Sequence, residues 1–378
     1  MTRKKIGIIS RPVDQGTSGS AFSLIHTLRA MRDIRSEWED IFDIHLIHYV
    51  KGTHSLYESF PELIVPRNPL KAAWCLERER FELLHYNPVT IYSPVFGFSG
   101  RTVGMIHSAE PDMLPHLYSR IHVWHDRIVV PFLARRIDRI ISPSNTTADY
   151  LLERMRLSKR PLVAHNAVSE LFPAPPEETR RSKIRERFGL EEPFFFHISK
   201  YSERKNPWTL LEAFARLVEE VGAGLPHRLL IGGSGWDNEE VLAFLKRRNL
   251  GQRVVLAGFL DEAEVATLYA QAFAFVFPSL IEGFGMPNLE AMAYGCPVIT
   301  SDAFAVREVV ADAALVIRDP LDVEDLRGKM RRVIDDPALR QELISRGYER
   351  VRYFSWDKSA RHTLDLYAEL LGVERRWV

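Results

Sequence analysis

Short apolar runs rich in β-branched and aromatic residues recur along the whole chain, and patterns with helical spacing separate them. In the first half such runs stand at 4–10 (KKIGIIS), 42–50, 89–95, 102–107, 139–144 and 161–166. In the second half they stand at 193–199, 227–233, 254–259, 274–279, 297–301 and 314–319. Helical patterns such as SAFSLIHTLRAMRDI, NTTADYLLERM and WTLLEAFARLVEEV lie between them. A strand covered on both faces loses the apolar–polar alternation and reads as one continuous run. Strands of that kind alternating with helices predict parallel sheets sandwiched between helical layers.

At 378 residues the chain is long enough for two cores. The stretch FPAPPEETRRSKIRERFGL, Phe172 to Leu190, reads as a linker running into a surface helix. We therefore expect two doubly wound α/β domains, 1–175 and 176–356. The amphipathic segment at about 357–378 can close either half, since periodicity does not name its partner.

Fifty basic residues balance fifty acidic ones, so no overall field points to nucleic acid. Residues 1–172 hold 22 Lys/Arg against 18 Asp/Glu, and ten of the thirteen histidines, a mild asymmetry. Cys75 and Cys296 have no metal-ligand spacing and cannot form a disulfide framework, which suits a reducing cytosol. The apolar run in MTRKKIGIISR is too short for a signal peptide. No stretch approaches the ~20 apolar residues that span a bilayer, so any membrane contact is expected to be peripheral.

FVFPSLIEGFGMPNLEAMAYGCPVIT, Phe275 to Thr300, holds two acids, Glu282 and Glu290, on either side of Gly283, Gly285 and Pro287. The strand is expected to end at Ser279. Pro287 suits the first helical position, and Gly295 suits the left-handed residue that ends the helix. Phe284, Gly285 and Met286 would then present backbone N–H groups where a helix dipole favours an anion. A carboxylate beside a phosphate is there for neutral hydroxyls, so two of them suggest a sugar at one end of a diphosphate and a ribose at the other. Either glutamate alone reads more simply as a helix cap or a solvated acid. The stretch as a whole does not.

These residues resemble the E-x7-E signature of family 4 glycosyltransferases. HISKYSERKNPWTLLEAFARL, LLIGGSG, VVLAGFL, VADAALVIRDPLDVEDL and YFSWDKSA follow the family's order, and GMIHSAE, RIDRIISPSN and VAHNAVSELF resemble its weaker N-terminal markers. The resemblance extends over nearly the whole length. It implies the GT-B fold, two Rossmann-like domains facing each other across a cleft, with the acceptor on the N-terminal side and the nucleotide sugar on the C-terminal side.

Residue by residue, the resemblance gives Glu282 the hydroxyls of the donor sugar and Glu290 the nucleotide ribose. Amides at Gly285 and Met286 would hold sugar and phosphate oxygens. Lys205, with either Lys200 or Arg204, would neutralise the diphosphate; Lys200 stands where many relatives have arginine, a point charge in place of a bidentate fork. Read without the family, SERKN is only a solvated turn. His107 matches the histidine that faces the donor, though Ser108 replaces the aspartate that often follows it. The loop DQGTSGSAF has Gly16 and Gly19 but lacks a full G-x-G-x-x-G, and Gly19 is the candidate for a close backbone contact. Gly233, in GGSGWDN, would border the nucleotide.

The family mostly transfers with retention, through an oxocarbenium-like transition state and a departing nucleoside diphosphate. The chain has no Asp-x-Asp, so no metal is expected and protein cations would take its place. SERKNPWTLLEAF leans towards mannosyltransferases, hence GDP-mannose over a UDP-hexose. The acceptor would be a glycan or a lipid-linked one. RIHVWHDRIVVPFLARRIDR, Arg120 to Arg139, fits a membrane-surface helix; a helix packed on the sheet with an arginine-rich outer face is preferred. Thr53 to Glu82 reads as an irregular loop over the acceptor. A nucleotide-sugar epimerase of the same fold and a non-catalytic nucleotide-sugar-binding subunit are the competing readings.

Overall fold

Unit by unit, the alternation of apolar runs and helices becomes two parallel sheets. The structure, a computed structural model, describes residues 3–15, 18–168 and 178–374. Gly16 and the Ala-Pro-Pro of the expected linker lie outside these residues. The chain divides into a first unit, Met1–Asn166 with Ser355–Val378, and a second, Ala167–Phe354.

The first unit has strands β1 (Lys4–Ile9), β2 (Phe42–His48), β3 (Glu62–Ile64), β4 (Leu83–Tyr86), β5 (Arg101–Met105), β6 (Arg139–Ser142) and β7 (Leu162–Val163). They pair in the order β3-β2-β1-β4-β5-β6-β7, parallel throughout. The order reverses between β1 and β4, and ligands of such sheets gather outside the carboxyl ends at that point. Ile6, Leu46, Leu83, Leu84 and Val103 are wholly buried, which is why these strands show no alternation.

Two expectations are corrected here. The run 89–95 is loop, and the strand is Leu83–Tyr86 just before it. Pro94 denies that run a ladder donor, whereas Leu83–Tyr86, though without β-branched residues, is buried throughout. Thr53–Glu82 is not an irregular loop: it holds β3 and the helix Pro69–Arg78, whose cap Asn68 accepts from Leu70 N and Lys71 N.

The helix Trp356–Leu371 closes the first unit. Its Tyr367 hydroxyl hydrogen-bonds His85 Nδ1 at 2.6 Å, Glu369 pairs with Arg139 at 2.7 Å, and Trp356 stacks on His26. Burial pushes His85 down to about 3, so the ring is neutral.

The second unit has strands β8 (Phe194–Ile198), β9 (Arg228–Gly232), β10 (Val254–Gly258), β11 (Ala274–Phe277), β12 (Val298–Ser301) and β13 (Ala314–Ile317). The order is β10-β9-β8-β11-β12-β13, again parallel, with its reversal between β8 and β11. Phe195, Phe196, Phe275 and Phe277 fill the central pair of strands, each fully buried. A side chain of this kind contributes about 1.5–3 kcal/mol on burial, which makes β8 and β11 a rigid base for the loops at their ends.

Candidate functional site

The loops leaving β8 and β11 are bound to each other by backbone-directed contacts. Asn206 takes a left-handed conformation (φ 57°), which asparagine tolerates better than most residues. Its Nδ2 donates to the Pro278 carbonyl at 2.9 Å and to the Pro320 carbonyl at 2.5 Å. Leu280 N donates to the Arg204 carbonyl at 2.9 Å, and the Arg204 guanidinium returns a bond to the Ile281 carbonyl at 3.0 Å. Pro207 then starts the helix Pro207–Val221, held by an apolar stripe that includes Leu210, Leu211 and Phe214. Sequence reading treated Asn206 as one letter of a turn; an Asn-Pro pair opening a helix after a strand was the available signal.

Held this way, the turn Glu203–Lys205 delivers two cations to one carboxylate. Lys205 Nζ lies 2.6 Å and Arg204 Nη1 2.9 Å from the same oxygen of Glu282. Lys205 also sits 4.8 Å above the Phe277 ring. Glu282 is buried, and burial alone would raise its pKa; the Lys205 ammonium and the Arg204 guanidinium outweigh it and hold the carboxyl below its ordinary value. Its backbone is fixed as well, for Ala305 N donates to its carbonyl at 3.2 Å. Below this cluster His197 bonds the Val276 carbonyl through Nδ1 and Ser199 Oγ through Nε2, both at 2.8 Å. Burial pushes His197 down to about 4, so it is a neutral prop.

The helix after the second loop runs Met286–Ala293, so Pro287 is its second residue where the sequence suggested the first. Gly285 caps it at φ 90°, and a Cβ there would meet Asn288 Nδ2 at 3.0 Å. Asn288 is fully buried with neither side-chain oxygen nor nitrogen bonded to another described residue. Gly295 follows at φ 68°, in the left-handed conformation expected of it. Glu290 does not join the Glu282 cluster. It accepts from the Tyr269 hydroxyl at 3.1 Å. Burial raises it to about 7 against the lowering effect of that bond, with Glu262 adding repulsion.

Lys200 is exposed and makes no ion pair with the described residues, unlike Arg204. Gly233 has φ 109°, and a Cβ there would lie 2.0 Å from the Ser199 carbonyl oxygen, so the fold itself demands glycine. Among the described residues no group of three or more His, Cys, Asp or Glu is placed to hold a metal ion.

In the first unit His107 follows β5. Its Nε2 donates to Asn87 Oδ1 at 3.0 Å, and burial pushes its pKa down to about 4. The ring is therefore neutral at ordinary pH, with Nδ1 left as an acceptor. It lines a hollow of about 260 Å³ with Ser20, Thr90, Ser108, His125 and Asp126. Gly19 opens the helix Gly19–Asp33 behind Ser18, whose hydroxyl accepts from Ala21 N, and a Cβ on it would meet no described atom.

Arg120–Arg139 is not one helix. Helix Arg120–Trp124 passes through a π-turn, His125–Val129, into helix Val130–Ala134. Its outer face is not arginine-rich alone, since Ile121, Trp124, Ile128 and Phe132 are exposed there too. Buried Asp112 anchors the segment by accepting from Arg127 at 2.6 Å, from Arg154 and from Tyr150 at 2.7 Å. Burial opposes ionisation of Asp112, but these donors prevail and bring it to about 2. No helix among the described residues is long and apolar enough to cross a membrane.

Residues 179–350 match the family model described as glycosyl transferases group 1, and residues 21–170 the one described as Glycosyltransferase Family 4. O-antigen chain mannosyltransferase B of Escherichia coli is 33% identical over 174 residues, 46% of this chain and 45% of that protein. A serotype-specific mannosyltransferase WbdA of Escherichia coli is 27% identical over 297 residues, 76% of this chain and 36% of that protein. The chain thus spans less than half the length of either relative. Anabaena HepE, solved in complex with UDP and glucose, superposes with a TM-score of 0.75 at 18% identity, covering 97% of this chain and 100% of that one.

Proposed function

The chain belongs to glycosyltransferase family 4, and on that premise we propose that it moves a hexosyl unit from a nucleotide sugar to a glycan or lipid-linked acceptor, with retention. The observation that carries this is the cluster of Arg204, Lys205 and Glu282 at the switch point of the second sheet, three residues before a helix N-terminus. Two cations on one carboxylate leave one net positive charge, already oriented and partly desolvated. A diphosphate leaving group develops charge of the opposite sign, and the amides of Gly285 and Met286 add the helix dipole. Lys200 is a further cation within the same loop.

Glu282 would accept from hydroxyls of the sugar while steering Lys205 and Arg204. Glu290, one turn into the helix, would accept from the ribose. His107, neutral, would offer the transferred sugar a hydrogen bond; Gly19 would let backbone come close to ligand, and Gly233 would border the nucleotide. The acceptor hydroxyl attacks the anomeric carbon from the face the diphosphate leaves, the C–O bond to phosphate breaks, and a phosphate oxygen takes the proton. Protein cations supply the charge compensation a divalent ion would otherwise give, so we propose metal-independent transfer. Saturating EDTA should leave the rate unchanged; loss of activity restored by manganese or magnesium would refute this part.

Both relatives are named mannosyltransferases, which supports GDP-mannose over a UDP-hexose as donor and a polysaccharide as product, and favours transfer over the epimerase and non-catalytic alternatives. The test is to offer GDP-mannose, UDP-glucose and ADP-glucose singly. GDP-mannose should raise the melting temperature and release GDP faster when acceptor is added. A protein stabilised by none of them, or releasing nucleotide at a rate indifferent to acceptor, would contradict the reading. A lipid-linked acceptor would bring the enzyme to the inner face of the cytoplasmic membrane as a peripheral protein.

A further inference from the structure

The loop after β4, residues 88–96, borders three hollows of the first unit. Thr90 faces the one with His107. Ile91 lines a groove of about 340 Å³ with Leu70, Trp124, Ile128 and Phe132, side chains all more than two-fifths exposed. Tyr92 lines a third hollow of about 290 Å³, with Arg11, Arg67 and Tyr49. Ile91 and Tyr92 are consecutive, and Arg67 is three residues from Leu70, so the apolar groove and the arginine hollow adjoin.

The two compartments differ in chemistry. The groove is the kind of contiguous apolar surface that a protein rarely leaves exposed without a ligand for it. Its rim is cationic, with the Arg136 guanidinium 3.7 Å from the Phe132 ring centroid. In the neighbouring hollow neither Arg11 nor Arg67 has an ion-pair partner among the described residues, and Arg11 lies over the Tyr92 ring at 5.6 Å. Asp14 also lines that hollow, but its carboxylate is engaged by the Tyr57 hydroxyl at 2.7 Å and by His48 at 3.1 Å. Two unpaired guanidinium groups beside two phenols suit a phosphate or diphosphate.

We propose that this composite site holds the lipid of a lipid-linked acceptor, its hydrocarbon chain in the groove and its anionic phosphate head between Arg11 and Arg67. The proposal rests on the transferase reading above and chooses between its two acceptor classes. A plain glycan has no use for the groove. A flat bilayer surface has no use for a pair of arginines lining a separate hollow beside the groove. A single amphiphile uses both, and Thr90 places the sugar end of such a molecule towards the hollow of His107.

Trp124 lines the groove, so its emission reports occupancy, and Trp124→Phe supplies the blank. Farnesyl diphosphate should shift the Trp124-dependent emission at a concentration at least tenfold below that needed with farnesol. The double variant Arg11→Ala/Arg67→Ala should lose that advantage while responding to farnesol as the wild type does, which also shows the groove intact. Equal response of the wild type to the two ligands would overturn the proposal, as would a double variant that still prefers farnesyl diphosphate. Phosphatidylglycerol vesicles that shift the same emission and are not displaced by farnesyl diphosphate would make the surface a bilayer face and overturn it too. None of these titrations involves a nucleotide sugar, so their failure would leave donor transfer standing; GDP release from GDP-mannose, measured alongside, tests that separately.

Discussion

The first sheet reverses its strand order between β1 and β4, the second between β8 and β11, and both do so in the same sense. What stands at the two switch points differs. In the second unit, charge is concentrated: Lys205 and Arg204 converge on one oxygen of Glu282. In the first, the buried histidines are neutral: His107 and His85 are pushed by burial to about 4 and about 3 and bond to Asn87 and Tyr367, while the charged Arg11 and Arg67 line a separate hollow. Topology decides where a ligand can sit, and the loop residues decide which charge it can carry. On this account the second unit takes the nucleoside diphosphate, and the first takes neutral hydroxyls at His107, leaving an anionic head to Arg11 and Arg67 in the hollow beside it.

The largest effect should come from removing charge where it is concentrated. Lys205→Ala should lower kcat by about 10²- to 10³-fold, the range seen when one preorganised donor to a developing anion is lost. Lys205→Arg should recover part of it. A loss under fivefold would mean that the cluster holds the loops together and does no chemistry.

Much of this was legible in the residues, and the limits have physical causes. Strands buried on both faces announce themselves as unbroken apolar runs, and most were placed to within a residue or two. Leu83–Tyr86 was missed because its identity depends on the neighbours that bury it, while the β-branched run beyond it follows Pro88 and contains Pro94. Glu282, Lys205 and Arg204 could be picked out singly, but their convergence depends on Asn206 folding one loop onto another, a contact 72 residues apart in sequence. The raised pKa of Glu290 was not readable at all, because burial and Tyr269 are properties of the packed chain. Likewise, the stripe on the last helix shows that it packs, while Tyr367 meeting His85 shows where.

That pKa gives the next effect. Glu290 sits at about 7, above the ordinary carboxylate value, so near neutrality it is partly protonated. Only the carboxylate form accepts from both ribose hydroxyls, so nucleoside diphosphate affinity should rise as pH climbs from 6 to 8, by about tenfold. In Glu290→Gln this component should vanish, leaving only the titration of the phosphate. An identical pH profile in wild type and variant would place the titrating group elsewhere.

The smallest effect belongs to the neutral side. His107→Gln keeps a hydrogen-bonding group of similar reach, so kcat/KM should fall only about two- to tenfold, the worth of one neutral hydrogen bond. Because His107 is already deprotonated above about pH 5, its removal should leave the shape of the rate profile between pH 6 and 9 unchanged. A wild-type limb near pH 6.5 that disappears in the variant would show a protonated imidazole at work and erase the contrast between the two units.

The central claim is that the switch point of the second unit binds a nucleotide sugar with its two glutamates in different roles. Calorimetric titration of the matching nucleoside diphosphate into wild type, Glu282→Gln and Glu290→Gln tests it most directly. A hydrogen bond to a charged group contributes about 1.5–3 kcal/mol, so Glu290→Gln should weaken binding about 10- to 150-fold. Glu282→Gln should not weaken that affinity, since it releases positive charge from Lys205 and Arg204 to the diphosphate; its loss should appear in turnover, where its partner is the sugar. If Glu282→Gln abolishes nucleoside diphosphate binding while Glu290→Gln retains it, the two assignments are reversed and the account fails.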